Sequence, residues 1–314
     1  YGTDALGGVI NLVPREAAAN RFSADVSYGG QDSAVGSVFA GRRIGPVTAQ
    51  VAGEIFHSDG HVIVDTSQRG SVDTKAGVTY KTLDLRLAEV ARAERRLFIR
   101  GSLFNESREN GTPLQTNDTS LRQLAGGAEF EAPGAGRFAL RSHVGSQTYN
   151  QTFSAVAAGR NSESLTRRQT TPARQFGASL QWSKYAGRHH NLVAGAELRD
   201  VSGHSDEVVV SGGRDTTAIT AGGRERTIAL FAQDTIIAGN RLIFTLGARV
   251  DRWRNLDGHS DTTPLATRVT ASRVFPERAE TAFSPRLGLL YRIDPALTLT
   301  ASAYQAFRAP TLNE

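Results

Sequence analysis

The sequence predicts an all-β protein, an antiparallel up-and-down transmembrane β-barrel, and three regularities predict it. Apolar and polar residues alternate in stretches of about ten residues. The connections between these stretches alternate between short and long. Large aromatic residues recur on the apolar phase, close to the short connections.

Phe22, Ala24, Val26 and Tyr28 alternate with Ser23, Asp25 and Ser27. Leu83, Leu85 and Leu87 alternate with Thr82, Asp84 and Arg86. The same holds for Leu124 to Phe130, Phe176 to Trp182, Leu242 to Val250 and Leu297 to Ala303. A period of two puts each apolar set on one face of a strand. Roughly 13 such strands are expected.

Short turns fall at Gly45-Pro46, around Ala91 to Arg96, at Pro133 to Gly136, Ala186 to His189, Gly239-Asn240 and Asp294-Pro295. Between them run long polar segments at Ser58 to Gly77, Asn105 to Ser120, Asn150 to Ala173, Val201 to Gly223 and Arg254 to Glu280; only the first connection, Gln31 to Ser33, is brief. Tight turns on one side and long loops on the other characterise barrels of the outer membrane. Phe22, Phe130, Phe138, Trp182, Phe244 and Tyr291 share the apolar phase near short turns, which predicts an aromatic girdle at one membrane boundary. The opposite phase is rich in Arg, Asp, Glu, Ser, Thr and Gln. Such a face cannot fill a dry core without many unpaired groups, so the apolar face looks outward and the lumen is wet or plugged.

Composition excludes other classes. With no cysteine among 314 residues there is no disulfide, thiol chemistry or Cys-based zinc site. No run of 18 apolar residues exists, so no transmembrane helix is expected. The charge is +5 and the pI about 9.8, but the arginines are dispersed among Asp and Glu, which argues against nucleic acid as a partner. No phosphate-binding loop of the Gly-x-x-x-x-Gly-Lys type is present.

Motifs add identity. Tyr1-Gly2-Thr3-Asp4-Ala5-Leu6-Gly7-Gly8-Val9-Ile10-Asn11-Leu12-Val13-Pro14-Arg15 resembles the end of the plug domain in TonB-dependent outer-membrane receptors. Gly7-Gly8 allows a tight turn, Val9 to Val13 reads as a strand and Pro14 ends it. Arg226 to Asp234, Phe283 to Arg292 and Phe307 to Glu314 resemble barrel segments of the same family. The resemblance implies residues 1-15 as the plug end and residues 16-314 as the first part of a 22-stranded barrel, with both ends truncated. It further implies active uptake across the bacterial outer membrane, energised by the TonB–ExbB–ExbD complex, of a bulky small-molecule ligand. That ligand would be an iron-siderophore, haem or cobalamin, carrying iron or cobalt as cargo, with no intrinsic cofactor and no enzymatic activity. Outer-membrane lipid is the other implied partner. A passive porin or channel is the alternative, although it would not carry the plug-end string.

Gly2, Gly7, Gly8 and Asn11 mark that string. Ligand contacts are expected on the long loops, where His57, His61, His204 and His259 are candidate haem or metal ligands. His143 is expected to line the lumen, and His189-His190 to form a surface pair in a short turn. Phe307-Arg308-Ala309-Pro310 is similar to a box found in haem, cobalamin and siderophore receptors. Asp257 to Asp261 offers oxygen ligands without the spacing of a calcium loop, and no local pattern marks a catalytic nucleophile.

Overall fold

A computed structural model of the protein describes residues 20–89 and 95–310. The string from Tyr1 to Arg15, the start of the turn at Ala91 and the final Thr311 to Glu314 lie outside them. The described strands are β1 (Arg21–Gly29), β2 (Ser33–Ile44), β3 (Val47–Ser58), β4 (Val78–Glu89), β5 (Arg95–Glu109), β6 (Thr116–Ala132), β7 (Gly136–Val156), β8 (Glu163–Ala186), β9 (His190–Ser211), β10 (Arg214–Ala238), β11 (Leu242–Pro264), β12 (Ala271–Val274), β13 (Arg278–Arg292) and β14 (Thr298–Tyr304). They pair antiparallel in chain order, except that β12 is a short branch on β11 and β13 takes its place in the main path. The meander agrees with the one expected from the period of two. β1 and β14 form the two edges and do not pair with each other, so the described sheet is open.

Four of the short turns place glycine at positive φ: Gly45, Gly134, Gly187 and Gly239. A side chain there would be strained, so these glycines fix where the chain reverses. The long connections differ from expectation. Residues 59–77 form a loop, as expected. The other polar segments are mostly strand, leaving only 110–115, 157–162, 212–213 and 265–277 between the main strands. β8, β9, β10 and β11 therefore reach 24, 22, 25 and 23 residues. Crossing a bilayer takes only about 9–11 residues. The excess is mostly polar on both faces, as suits strand that stands in water. The alternation that betrays a strand disappears there while the hydrogen-bonded ladder continues.

Directly opposed residues of an antiparallel pair share a face. Leu97, Ala128, Leu140, Leu180, Ala196, Leu230, Val250 and Phe283 form one such row on the apolar face. Leu180 and Leu246 remain nearly half exposed, as residues do whose neighbour is lipid rather than protein. On the other face a parallel row holds Glu129, Ala139, Gln181, Gly195, Phe231, Arg249 and Ser284. Gln181, Arg249 and Arg286 thus stand opposite the leucines, as expected. His143 also lies on the polar face, its ring over Gly177, where a Cβ would meet it at 2.2 Å.

The girdle is present where the aromatics predicted it. Phe130 and Phe138 stack at 5.2 Å, and Trp182 follows Phe138 in register. Trp182 donates its Nε1–H to the Ala135 carbonyl of the short turn at 2.8 Å, keeping its polar edge at the boundary and its ring on the apolar side. One further feature links the sheet to a barrel. The row that leaves the middle of the apolar run of β4 at Leu85 passes through Gly101, Leu124, Val144 and Phe176 to Asp200 and Arg226, beyond the apolar band. Apolar runs that step along the register are the stagger that tilted barrel strands require.

Candidate functional site

The end of the sheet opposite the short turns carries two coupled structures: a knitted set of connections and, below it on the polar face, a wall of aromatic and charged side chains. The 59–77 loop lies across the 110–115 and 157–162 turns. Thr74 N–H donates to the Gly111 carbonyl at 2.9 Å, and Val72 N–H to the Arg160 carbonyl at 3.1 Å. Ser71 N–H donates to Asn161 Oδ1 at 3.1 Å. Gly70 permits this approach, because a Cβ would come within 2.1 Å of the Arg160 carbonyl oxygen.

Asp73 is the hub. Its carboxylate, fully covered, accepts three hydrogen bonds from the Arg160 guanidinium, between 2.5 and 2.9 Å. Arg160 holds the Asp73 carboxyl below the usual carboxylate range through these bonds, against the opposing effect of desolvation. Glu163 binds the two turns to each other, accepting from Thr112 Oγ1 at 2.5 Å, Leu114 N–H at 3.1 Å and Ser154 Oγ at 2.5 Å. Burial alone would raise the Glu163 carboxyl; these donors outweigh it and the net shift is downward. The connections form one capped rim rather than separate floppy loops.

Beneath the rim, Phe56, Tyr80 and Phe104 project from β3, β4 and β5 onto the polar face. Phe56 and Tyr80 stack at 5.1 Å, and Tyr80 and Phe104 lie 6.1 Å apart. Tyr80 donates its hydroxyl to Glu54 at 2.7 Å, which fixes the middle ring. Beside the ladder Arg108 pairs with Glu106 at 2.7 Å. Farther round the sheet Arg167 lies over the Phe153 ring at 5.4 Å and pairs with Glu207 at 3.0 Å. The wall therefore combines half-buried rings with guanidinium groups, a chemistry suited to flat, delocalised or anionic ligands. Lower on the same face Arg137 and Arg141 pair with Glu129, and Arg249 bridges Glu197 and Asp251.

The sequence candidates lie elsewhere. His57 is on β3 in register with Thr79, on the apolar phase, with its ring held by Thr79 Oγ1 at 2.8 Å and Asp59 Oδ1 at 3.1 Å. His204 and His259 occupy strands, not loops, and face each other across Gly222 on the same outward phase. His204 pairs with Asp206 at 3.2 Å. His61 sits in the 59–77 loop, where its carbonyl accepts from Ala76 N–H at 3.0 Å. Three of the four thus point away from the polar face, and no three potential ligands gather into a metal-holding group among the described residues. The strands extend farther than the alternation indicates, and that extension turns the expected loop histidines outward. The aromatic wall had a signal that composition hides: Phe56, Tyr80 and Phe104 fall on the polar phase of three successive strands. The plug-end residues Gly2, Gly7, Gly8 and Asn11 lie outside the described residues.

Comparison with known proteins places this geometry. Residues 55–314 match the family model described as TonB dependent receptor-like, beta-barrel. No curated protein matches the chain. Among solved structures, the ferric-catecholate import receptor Fiu from E. coli superposes with a TM-score of 0.77 at 12% identity, covering 94% of this chain and 55% of that one. The ferric yersiniabactin uptake receptor FyuA from Yersinia pestis gives 0.77 at 14% identity, covering 94% and 48%. The alcaligin outer membrane receptor FauA from Bordetella pertussis gives 0.68 at 13% identity, covering 95% and 45%. The chain spans about half the length of these structures.

Proposed function

The chain belongs to the TonB-dependent receptor family, an outer-membrane β-barrel family, and on that basis we propose that it forms part of the barrel of an active-transport receptor for a bulky ferric chelate. The observation that carries the ligand class is the rim-side wall of Phe56, Tyr80 and Phe104 flanked by Arg108 and Arg167. Ring faces stack on the planar parts of a chelator, and guanidinium groups neutralise its anionic oxygens. Iron is cargo in this reading, held by the chelator rather than by the protein, so a histidine cluster is unnecessary. Solved structures of similar fold bear names of ferric-catecholate, ferric yersiniabactin and alcaligin receptors, which supports the same class.

The barrel of such a receptor encloses a plug. We assign residues 1-15 as the plug's end and residues 16-314 as barrel. The paired charges low on the polar face, Arg137 and Arg141 with Glu129 and Arg249 with Asp251, present a hydrated wall that a polar plug can rest on and leave. Work on the plug comes from TonB–ExbB–ExbD on the periplasmic side, and the chain's family is one of transport receptors rather than enzymes.

The test is growth of an iron-starved strain lacking its own receptors, complemented with the complete receptor and fed ferric siderophores, ferric citrate, haem or cobalamin singly. Growth on a ferric siderophore that disappears when TonB is deleted is the expected result. Tyr80→Ala and Phe104→Ala should each weaken ligand binding about tenfold, or ~1.4 kcal/mol, with unchanged receptor in the membrane. TonB-independent uptake, or binding untouched by both substitutions, would contradict the proposal.

A further inference from the structure

Two of the histidines singled out from the sequence meet on the face opposite the aromatic wall. His204 of β9, Gly222 of β10 and His259 of β11 form one outward row across the ladder. Two strand spacings set the histidines about 10 Å apart at the backbone. The residue between them has no side chain. A Cβ on Gly222 would meet the His204 Cβ at 2.6 Å, so glycine keeps the gap open. Two imidazoles leaning over that gap can converge on one ion, each with a nitrogen about 2.0–2.1 Å from it.

Their hydrogen bonds decide which nitrogens are left for the ion. His204 Nε2 faces Asp206 Oδ2 at 3.2 Å. His259 Nδ1 lies 3.0 Å from the Asp257 carbonyl, which can only accept. Each of these nitrogens therefore carries the proton of its neutral ring, and the lone pairs sit on His204 Nδ1 and His259 Nε2. An acceptor behind an imidazole fixes its tautomer and raises the basicity of the other nitrogen, which is the arrangement behind metal-bound histidines. His57, on the same outward phase, has no nitrogen to spare, because Thr79 Oγ1 and Asp59 Oδ1 occupy both.

The charge around the pair suits a cation. The next row on the same face is Asp206, Thr220 and Asp261. Thr220 donates its hydroxyl to Asp206 Oδ1 at 2.7 Å and so steadies the carboxylate that orients His204. Asp261, two residues beyond His259, has no hydrogen bond or ion pair among the described residues. On the other side of the row Arg224 is already bonded to Asp200 at 2.8 Å. The pair also flanks an irregularity. Arg224 pairs with Leu256 and Gly222 with His259, which leaves Asp257 and Gly258 out of the ladder, with Asp257 at φ 56°.

We propose that His204 and His259 form a two-histidine site for a divalent transition metal such as zinc. Asp261 supplies negative charge from the next row, and water completes the coordination. The ion ties β9 to β11 across β10 and braces the ladder where the bulge interrupts it. It is structural and separate from the transported iron, since the ligand wall lies on the opposite face.

The test uses the complete receptor, purified in detergent without a histidine tag and stripped with a chelator. It is titrated with zinc chloride by calorimetry and with copper(II) by electron paramagnetic resonance. Wild type should bind one zinc ion more per barrel than the His204→Gln/His259→Gln receptor. Each single change should weaken that site at least about tenfold and remove one nitrogen coupling from the copper spectrum. His57→Gln should leave the site intact. The substituted side chains are not buried, and a gel shift upon boiling checks that each barrel is closed. In wild type alone, zinc should slow hydrogen exchange at Asp257 to His259. Equal zinc binding by wild type and the double variant would overturn the site, as would a copper spectrum unchanged in that variant. Loss of the site in His57→Gln would overturn the assignment to this pair. Zinc binding without slower exchange would overturn the bracing role.

Discussion

At the scale of single residues, the rim depends on one ion pair more than on its length of chain. Asp73 is covered and takes three hydrogen bonds from Arg160, and the loop around it has little apolar surface to bury. The Asp73 pKa is lowered by Arg160, so the pair stabilises the rim above the unfolded carboxyl value of about 3.9 and releases it as pH falls through the folded pKa. Asp59, which Lys75 and His57 hold low in the same manner, titrates in the same direction. Hydrogen exchange at Ser71 to Thr74, corrected for intrinsic rates, should therefore be flat from neutral pH down to about 5 and accelerate below about 4. Arg160→Gln should accelerate it about tenfold at neutral pH and remove most of the acid step. Unchanged exchange in that variant would mean the backbone contacts to Gly111 and Arg160 hold the loop unaided.

At the scale of elements, the structure separates what alternation can and cannot reveal. Within the membrane every second residue meets lipid, so Leu140, Leu180, Leu230 and Val250 announce their strands. The turns are equally legible, since Gly45, Gly134, Gly187 and Gly239 sit where positive φ is required. Above the membrane both faces meet water, and stretches such as Val201–Ser211 and Arg214–Gly223 lose the pattern while keeping their ladder. Three of the histidine candidates lie in such stretches or at their start, which is why they read as loop residues and proved to be outward-facing strand residues. The aromatic wall was legible only in part: the polar phase of Phe56, Tyr80 and Phe104 can be read along each strand, but their adjacency lies in pairing across β3, β4 and β5. The same element lengths predict accessibility. Epitope tags inserted at Asp65, Asn161 or the Gly212-Gly213 turn should be reached by antibody on intact cells, and a tag at Gly239 only after the outer membrane is opened. A Gly239 tag exposed on intact cells would reverse the orientation.

For the whole molecule, one arrangement explains the separate observations. The apolar face of the open sheet meets lipid, and its short-turn edge is closed by the Phe130, Phe138 and Trp182 girdle. The polar face holds paired charges low down and aromatic and guanidinium groups under the rim. The proposed function depends on which face looks outward. Leu180 is flanked by Ser179 and Gln181, so neighbouring residues at the same height test opposite faces. In the complete receptor, in native outer membranes, single cysteines at Leu180, Leu246, Ser179 and Gln181 can be exposed to a water-phase maleimide and to a lipid-phase label. The arrangement predicts water-phase labelling of Ser179→Cys and Gln181→Cys, and lipid-phase labelling of Leu180→Cys and Leu246→Cys. Water-phase labelling of Leu180→Cys and Leu246→Cys would contradict it.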